Sequence, residues 1–162
     1  MTETVTELSD DVRALVDGIV GRLAAEPGAL LPILHAVQDT LGYVPKAAVP
    51  QIAQALNLSR AEVHGVVTYY HHFRGEPPGR HVVQICRAEA CQALGAEALL
   101  AQAQTVLGCT AHGTRADGAV SLEPVYCLGL CALSPAVMVD DKLHGRMTAQ
   151  RLEAIAATWS TA

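Results

Sequence analysis

The sequence predicts an α+β protein in two parts: a helical bundle over residues 1–75 and an α/β unit over residues 76–162. Three observations point there. Apolar residues recur at helical spacing from Leu8 to Tyr70. A break rich in Gly and Pro, Arg74-Gly-Glu-Pro-Pro-Gly-Arg80, then interrupts the pattern. Beyond it, short apolar runs alternate with helical stretches, the pattern of a small sheet carrying helices.

The elements follow in order. Leu8, Val12, Leu15, Val16, Ile19, Val20 and Leu23 mark a first helix, with Ser9 or Asp10 as N-cap and Pro27-Gly28 as its stop. A second helix runs from Ala29 to Leu41, and Gly42 caps it. Tyr43-Val44-Pro45 is a turn, and a third helix is expected from about Lys46 to Leu56. Ser59-Arg-Ala-Glu62 is a capping box that opens a fourth helix ending near Tyr70. After the break, His81-Val-Val-Gln-Ile85 reads as a buried strand ending at Cys86. One helix is expected from Ala90 to about Leu107, capped by Gly108. Asp117-Gly118 is a hairpin signal, and Ala119 to Tyr126 is a strand leading into Cys127. Pro135 to Val139 and Lys142 to Arg146 are strands joined by a turn at Asp140-Asp141, and a last helix runs from Thr148 to Trp159.

At 162 residues the chain can bury a real core. Apolar residues make up 51% but aromatics only 4%, so Ala, Leu and Val must fill it. The net charge of −5 lacks the basic footprint of a nucleic-acid binder. Ile52 to Val67 does resemble a helix-turn-helix, yet from Pro45 to Arg74 only Lys46, Arg60 and Arg74 are basic, against Glu62. Phosphate contacts need more than that, so no nucleic-acid partner is expected. The opening stretch Met1 to Asp11 is acidic and polar, without the basic and apolar regions of a secretory signal. No apolar run is long enough to span a bilayer, so no membrane partner is expected and the simplest address is cytoplasmic. In that compartment cysteines serve as metal ligands or reactive thiols rather than structural disulfides.

Four of the five cysteines fall in two close pairs, Cys86-x4-Cys91 and Cys127-x3-Cys131, with 35 residues between the pairs. Four thiolates make a soft, anionic site for a soft metal or an iron–sulfur cluster. Both pairs sit at the ends of strands, where rigid elements position the loops. Gly129 lets the backbone approach closely, and Ala88, Ala90 and Ala132 keep the wall thin. A dithiol redox motif would be C-x-x-C, which neither pair is. Structural zinc admits both spacings, and the plant-type ferredoxin spacing is absent. Spacing alone therefore establishes a four-thiolate metal site and leaves zinc and iron–sulfur open. The fifth cysteine, Cys109, reads as a small buried side chain at the start of a strand.

Other polar residues read as structural. His71, His72 and Phe73 end the helical part and suit packing against a neighbouring domain or partner. His81, His112 and His144 stand alone. Arg87 and Glu89, inside the first cysteine loop, either modulate the site or are simply solvated. There is no dinucleotide fingerprint, no P-loop and no nucleophile–base pair, so the chain has no catalytic site of its own.

The motif Cys86-x4-Cys91-x-x-Leu94-Gly95, followed by Glu123-Pro-Val-Tyr-Cys127-Leu-Gly-Leu-Cys131-x-x-Ser-Pro135-Ala-Val-Met-Val139, resembles the thioredoxin-like [2Fe–2S] ferredoxin family. That family includes the 24-kDa subunit of NADH–quinone oxidoreductase. Leu31 to Pro45 and Val63 to Phe73 are similar to its helical N-terminal domain, so the resemblance spans nearly the whole chain. Within the family, Tyr69-Tyr-His-His-Phe-Arg74 and Val125 to Cys131 look most like the gamma subunits of soluble molybdenum-containing NAD-dependent formate dehydrogenases. The equivalent subunit of NAD-reducing hydrogenase is similar. One departure is Ser134, where the family commonly has Ala.

The resemblance implies a thioredoxin-like fold for residues 76–162 and one [2Fe–2S] cluster held by Cys86, Cys91, Cys127 and Cys131. It implies an electron-transfer role. The partners would be a flavoprotein subunit that holds FMN and binds NAD(H), and a large molybdenum-containing, formate-oxidising subunit. FMN, NAD and the molybdenum cofactor would reside in those partners. The helical part, residues 1–75, would dock to them.

Overall fold

The computed structural model describes residues 8–161, with the side chains of residues 160 and 161 left aside. Met1 to Glu7 of the acidic opening stretch lie outside the described residues. The chain divides into two compact units between Pro77 and Pro78.

The first unit is helical. Helix α1 (Asp10–Leu23) opens on Ser9, whose hydroxyl accepts from the Val12 N–H, and buries Val16, Ile19 and Val20. Helix α2 (Leu30–Leu41) adds Ile33, Leu34 and Val37 to the same core and ends at Gly42 in the left-handed conformation. The third helix is shorter than expected. Lys46–Ala48 forms a 3₁₀ turn, and α3 spans only Val49–Ala55. Pro50 explains the difference: it has no N–H to donate and is tolerated only in a helix's first turn. Helix α4 (Arg60–Tyr69) begins with the expected capping box. The Ser59 hydroxyl accepts from the Glu62 N–H at 3.2 Å, and the Glu62 carboxylate accepts from the Ser59 N–H at 2.8 Å. Buried Gln38 clips the chain leaving α4 back to α2. Its amide nitrogen donates to the His72 carbonyl at 2.8 Å, and its oxygen accepts from the Arg74 N–H at 2.7 Å. The rings of His72 and Phe73 each lie 5.0 Å from that of His35, so these residues pack within this unit.

The second unit is a five-stranded mixed sheet with helices against it. Strand β1 (His81–Cys86) leads to α5 (Glu89–Ala93) and α6 (Ala96–Leu107). One continuous helix was expected here. Gly95 sits between the two at φ +89°, a left-handed conformation that a helix interior does not accept, and so ends α5. A short strand β2 (Gly113–Thr114), which the sequence pattern marked only as one arm of a hairpin, pairs antiparallel with β3 (Val120–Val125) across the Asp117-Gly118 turn. Strands β4 (Val137–Val139) and β5 (Lys142–His144) form the second hairpin, each shorter than expected. Helix α7 (Ala149–Ala157) is capped by the Thr148 hydroxyl and passes into a 3₁₀ turn at Trp159. The strand order is β2-β3-β1-β4-β5. Val83 and Ile85 of β1, Val120 and Leu122 of β3, and Val137 and Val139 of β4 line one core with Leu99, Leu100, Ala103 and Leu107 of α6 and Leu152 of α7. Full burial of each such aliphatic side chain contributes roughly 1.5–3 kcal/mol.

Among the described residues only the β1–β3 pair is parallel, and it matches Cys86 with Val125. The first cysteine pair and the loop after β3 therefore emerge at the same edge of the sheet. At the other edge, His81 does not stand alone as expected. Its Nδ1 lies 2.6 Å from Asp140 and its ring stacks on Trp159 at 4.3 Å. Among the described residues no helix is long and apolar enough to cross a membrane.

Asp117 shapes the β2–β3 turn. Two nitrogens of Arg115 donate to its two carboxylate oxygens at 2.8 and 2.9 Å, and the Ala119 N–H adds a third bond at 3.0 Å. The Arg115 hydrogen bonds, then the Ala119 N–H, bring the carboxyl from its ordinary 3.8 to about 2. A depressed folded-state value means the contribution is complete above pH 3.8 and is lost as the pH falls through about 2. The stability gap between the wild type and Asp117→Asn is expected to be flat above about pH 4 and to shrink towards pH 2, measured by denaturant titration. A gap that widened on acidification would contradict this assignment.

Candidate metal centre

Cys86 is the last residue of β1, and its N–H donates to the Ala136 carbonyl at 3.0 Å. The next amide, that of Arg87, donates to the Val125 carbonyl at 2.7 Å, which fastens the first loop to the end of β3. Cys91 lies within α5. Cys127 follows β3 at φ +72°, and Cys131 opens a 3₁₀ turn, Cys131–Leu133. Gly129 stands between them at φ +76°, where any side chain would be strained. Residues 127 and 129 are both left-handed, and the amides of Cys127 and Leu128 turn towards Cys86.

The two pairs differ in exposure. Cys86 and Cys91 are each 2% exposed and pack with Ala96 and Ala136, flanked by Ala88, Leu128 and Leu130. Cys127 and Cys131 are exposed. All the cysteines are free thiols. Burial pushes the Cys86 thiol up, but the N–H of Ala88, the Cys91 thiol and the N–H groups of Leu128 and Cys127 together outweigh it, so it ends below its ordinary value. Cys131 is pushed up by its hydrogen bond to Cys127, by the charge on Cys127, by burial, and by the charges of Cys91 and Cys86. Cys131 thus stands within electrostatic reach of both members of the first pair.

The sulfurs are gathered as two pairs. Cys127 Sγ lies 3.9 Å from Cys131 Sγ, and Cys86 packs in one buried cluster with Cys91. Two thiolates on one tetrahedral metal, with bonds of about 2.3 Å, stand about 3.8 Å apart. Two such pairs, within electrostatic reach of each other, make one soft four-thiolate site.

The remaining cysteine is elsewhere. Cys109 lies in the bend after α6, outside any strand, and packs against the sheet core rather than with the two pairs. Burial pushes its thiol up, against a smaller pull from Arg115. Arg87 is committed to Glu97, with two hydrogen bonds of 2.8 and 2.9 Å, while Glu89 is exposed. Sequence patterns did not flag a role for Ser134. Its hydroxyl lies 3.3 Å from Cys91 Sγ and donates to the Cys131 carbonyl at 2.9 Å. The signal available was its position three residues past Cys131 in a loop of small residues.

The model of the thioredoxin-like [2Fe-2S] ferredoxin family matches residues 16–160. The chain belongs to the thioredoxin-like [2Fe–2S] ferredoxin family. A [2Fe–2S] cluster is the cofactor of that family, and ferredoxin chemistry is single-electron transfer. Its relatives include a subunit of the NADH-quinone oxidoreductase of Rhizobium meliloti, 34% identical over 93% of this chain and 90% of that one. Another is the HndA subunit of the NADP-reducing hydrogenase of Solidesulfovibrio fructosivorans, 31% identical over 85% of this chain and 80% of that one. The fold is shared with the NAD+-reducing [NiFe]-hydrogenase in its air-oxidized state, with a TM-score of 0.67 at 23% identity over 86% of this chain. This chain spans 24% of that hydrogenase chain.

The difference in exposure has a direct chemical readout. In the metal-free chain, Cys127 and Cys131 are expected to react with a thiol reagent well before Cys86 and Cys91, followed by peptide mapping of the labelled sites. Labelling of both pairs at one rate would contradict the buried-and-exposed arrangement.

Proposed function

We propose that Cys86, Cys91, Cys127 and Cys131 would together ligate one [2Fe–2S] cluster. The observation that carries this is the pairing of the sulfurs beneath inward-turned amides. The cluster, when bound, takes up and gives back one electron at a time. The chain's own residues do the rest. The amides of Ala88, Leu128 and Cys127 offset the negative charge of the thiolates. Ala96 and Ala136 exclude water from the Cys86–Cys91 side. The exposed Cys127–Cys131 side is where electrons enter and leave.

The chain would serve as the electron-transfer subunit of a soluble, cytoplasmic NAD-dependent formate dehydrogenase. Its partner would be a flavoprotein subunit that binds NAD(H) and FMN, since a flavin turns a two-electron hydride into single electrons. A molybdenum-containing subunit would oxidise formate. The likeness of Tyr69 to Arg74 and of Val125 to Cys131 to formate dehydrogenase gamma subunits supports this choice. A second reading has equal support: the corresponding subunit of an NADH–quinone oxidoreductase or a hydrogenase, which is how the relatives are named. The helical unit, with Tyr69 and Tyr70 exposed, would dock to the flavoprotein. Purification of the intact complex separates these readings. A molybdenum subunit that co-purifies supports formate; a nickel–iron or quinone-reducing subunit in its place would overturn that choice.

Serine at any one of Cys86, Cys91, Cys127 or Cys131 is expected to lower iron below two per chain and bleach the visible spectrum. Cys109→Ala is expected to leave both unchanged. Iron and acid-labile sulfide analysis checks this, and cluster loss in Cys109→Ala would refute the ligand set.

A further inference from the structure

Ser134 is buried, with 7% of its surface exposed, in the stretch that leads from the second cysteine pair into β4. Its Oγ lies 3.3 Å from Cys91 Sγ and donates to the Cys131 carbonyl at 2.9 Å. A serine hydroxyl has one proton and two lone pairs. In the structure the O–H donates to the Cys131 carbonyl, and Oγ presents a lone pair on the side of Cys91 Sγ. A thiolate has no proton to give. Once Cys91 is a thiolate, that arrangement turns an oxygen lone pair towards an anionic sulfur. Rotation about the Cβ–Oγ bond moves the O–H onto the sulfur without displacing a heavy atom, exchanging its hydrogen bond to the Cys131 carbonyl for one to Sγ. Hydrogen bonds to ionised acceptors are stronger than those to neutral carbonyls. The rotation is therefore favoured, and more so as negative charge on the sulfur grows.

We propose that the Ser134 hydroxyl donates to the Cys91 thiolate and raises the reduction potential of the centre. This rests on Cys91 being a cluster ligand. Reduction adds one negative charge, part of which falls on the ligand sulfurs, and a donor aimed at such a sulfur favours the reduced form. Burial makes the effect specific. Cys91 is 2% exposed, so water is a poor substitute donor there. The amides of Ala88, Leu128 and Cys127 donate to Cys86, and the Ser134 hydroxyl is the group in contact with Cys91 Sγ at 3.3 Å. Ser134 is therefore a positioning residue for the charge on one ligand, at a place where Ala would leave that sulfur without a hydroxyl.

The test is a dye-mediated redox titration of the full chain, read by EPR, for the wild type, Ser134→Ala and Ser134→Thr. Ser134→Ala is expected to keep two irons and two sulfides. At the wild-type midpoint its reduced-to-oxidised ratio should fall about tenfold, or 59 mV for a one-electron couple. Ser134→Thr retains the hydroxyl and should restore the wild-type midpoint. An intact cluster at an unchanged midpoint in Ser134→Ala would overturn the proposal. Should Ser134→Ala fail to hold a cluster, Ser134→Gly decides, because it also lacks the hydroxyl and leaves more room. A lowered midpoint there supports the proposal; a wild-type midpoint, or loss of the cluster again, assigns Ser134 a purely structural role and overturns it. Failure of the underlying ligand assignment looks different: the wild type lacks two irons, or Cys91→Ser keeps an unaltered cluster.

Discussion

The parallel pairing of β1 with β3 is the constraint on which the centre depends. Antiparallel neighbours would send the two cysteine loops to opposite edges of the sheet. Parallel strands end together, and the register sets Cys86 beside Val125, two residues before Cys127. Such a pairing requires a crossover connection, here α5 and α6, and the crossover brings its own contribution. Cys91 sits in α5, the first element of that connection, so the same chain path that permits the parallel pair also delivers the second cysteine. The apolar face of the sheet, packed on α6 and α7, holds the register. A slip of one residue would turn Val83, Ile85, Leu122 and their neighbours out of the core.

Charge explains the local backbone. Four thiolates gathered in a small volume repel one another, as the upward shift of Cys131 by its neighbours shows. The protein opposes this with amides rather than with basic side chains. Arg87, the nearest basic residue in sequence, is committed to Glu97. The loop is left-handed at Cys127 and Gly129, its Cys127 and Leu128 amides turn to Cys86, and Cys127 and Cys131 lie at the surface. One side of the centre is thereby sealed and the other open.

Much of this was legible in the sequence, because it rests on local chemistry. The capping box at Ser59, the left-handed end at Gly42, the Gly- and Pro-rich break and the hairpin at Asp117-Gly118 all follow from residues within a few positions of one another. The four cysteines declared themselves by spacing, although spacing alone did not separate zinc from iron. What stayed hidden is partly local, at Gly95 and Pro50, and partly depends on contacts across the fold. Gly95 divides a stretch whose composition reads as one helix. Strand β2 is two residues long and exists only because β3 lies beside it. Pro50 moves the start of α3 because a 3₁₀ turn competes for the residues before it. The contact of Ser134 with Cys91 joins residues 43 apart, and no periodicity or motif announces it. The pairing of His81 with Asp140 and Trp159 is hidden for the same reason.

The central claim is that these thiols hold two irons bridged by sulfide rather than one ion. It is tested most directly by metal and sulfide analysis of the purified chain, together with its EPR spectrum before and after chemical reduction. The expected result is two irons and two sulfides per chain, with an EPR signal that appears on uptake of one electron. A colourless protein that holds one zinc and stays EPR-silent after reduction would contradict it.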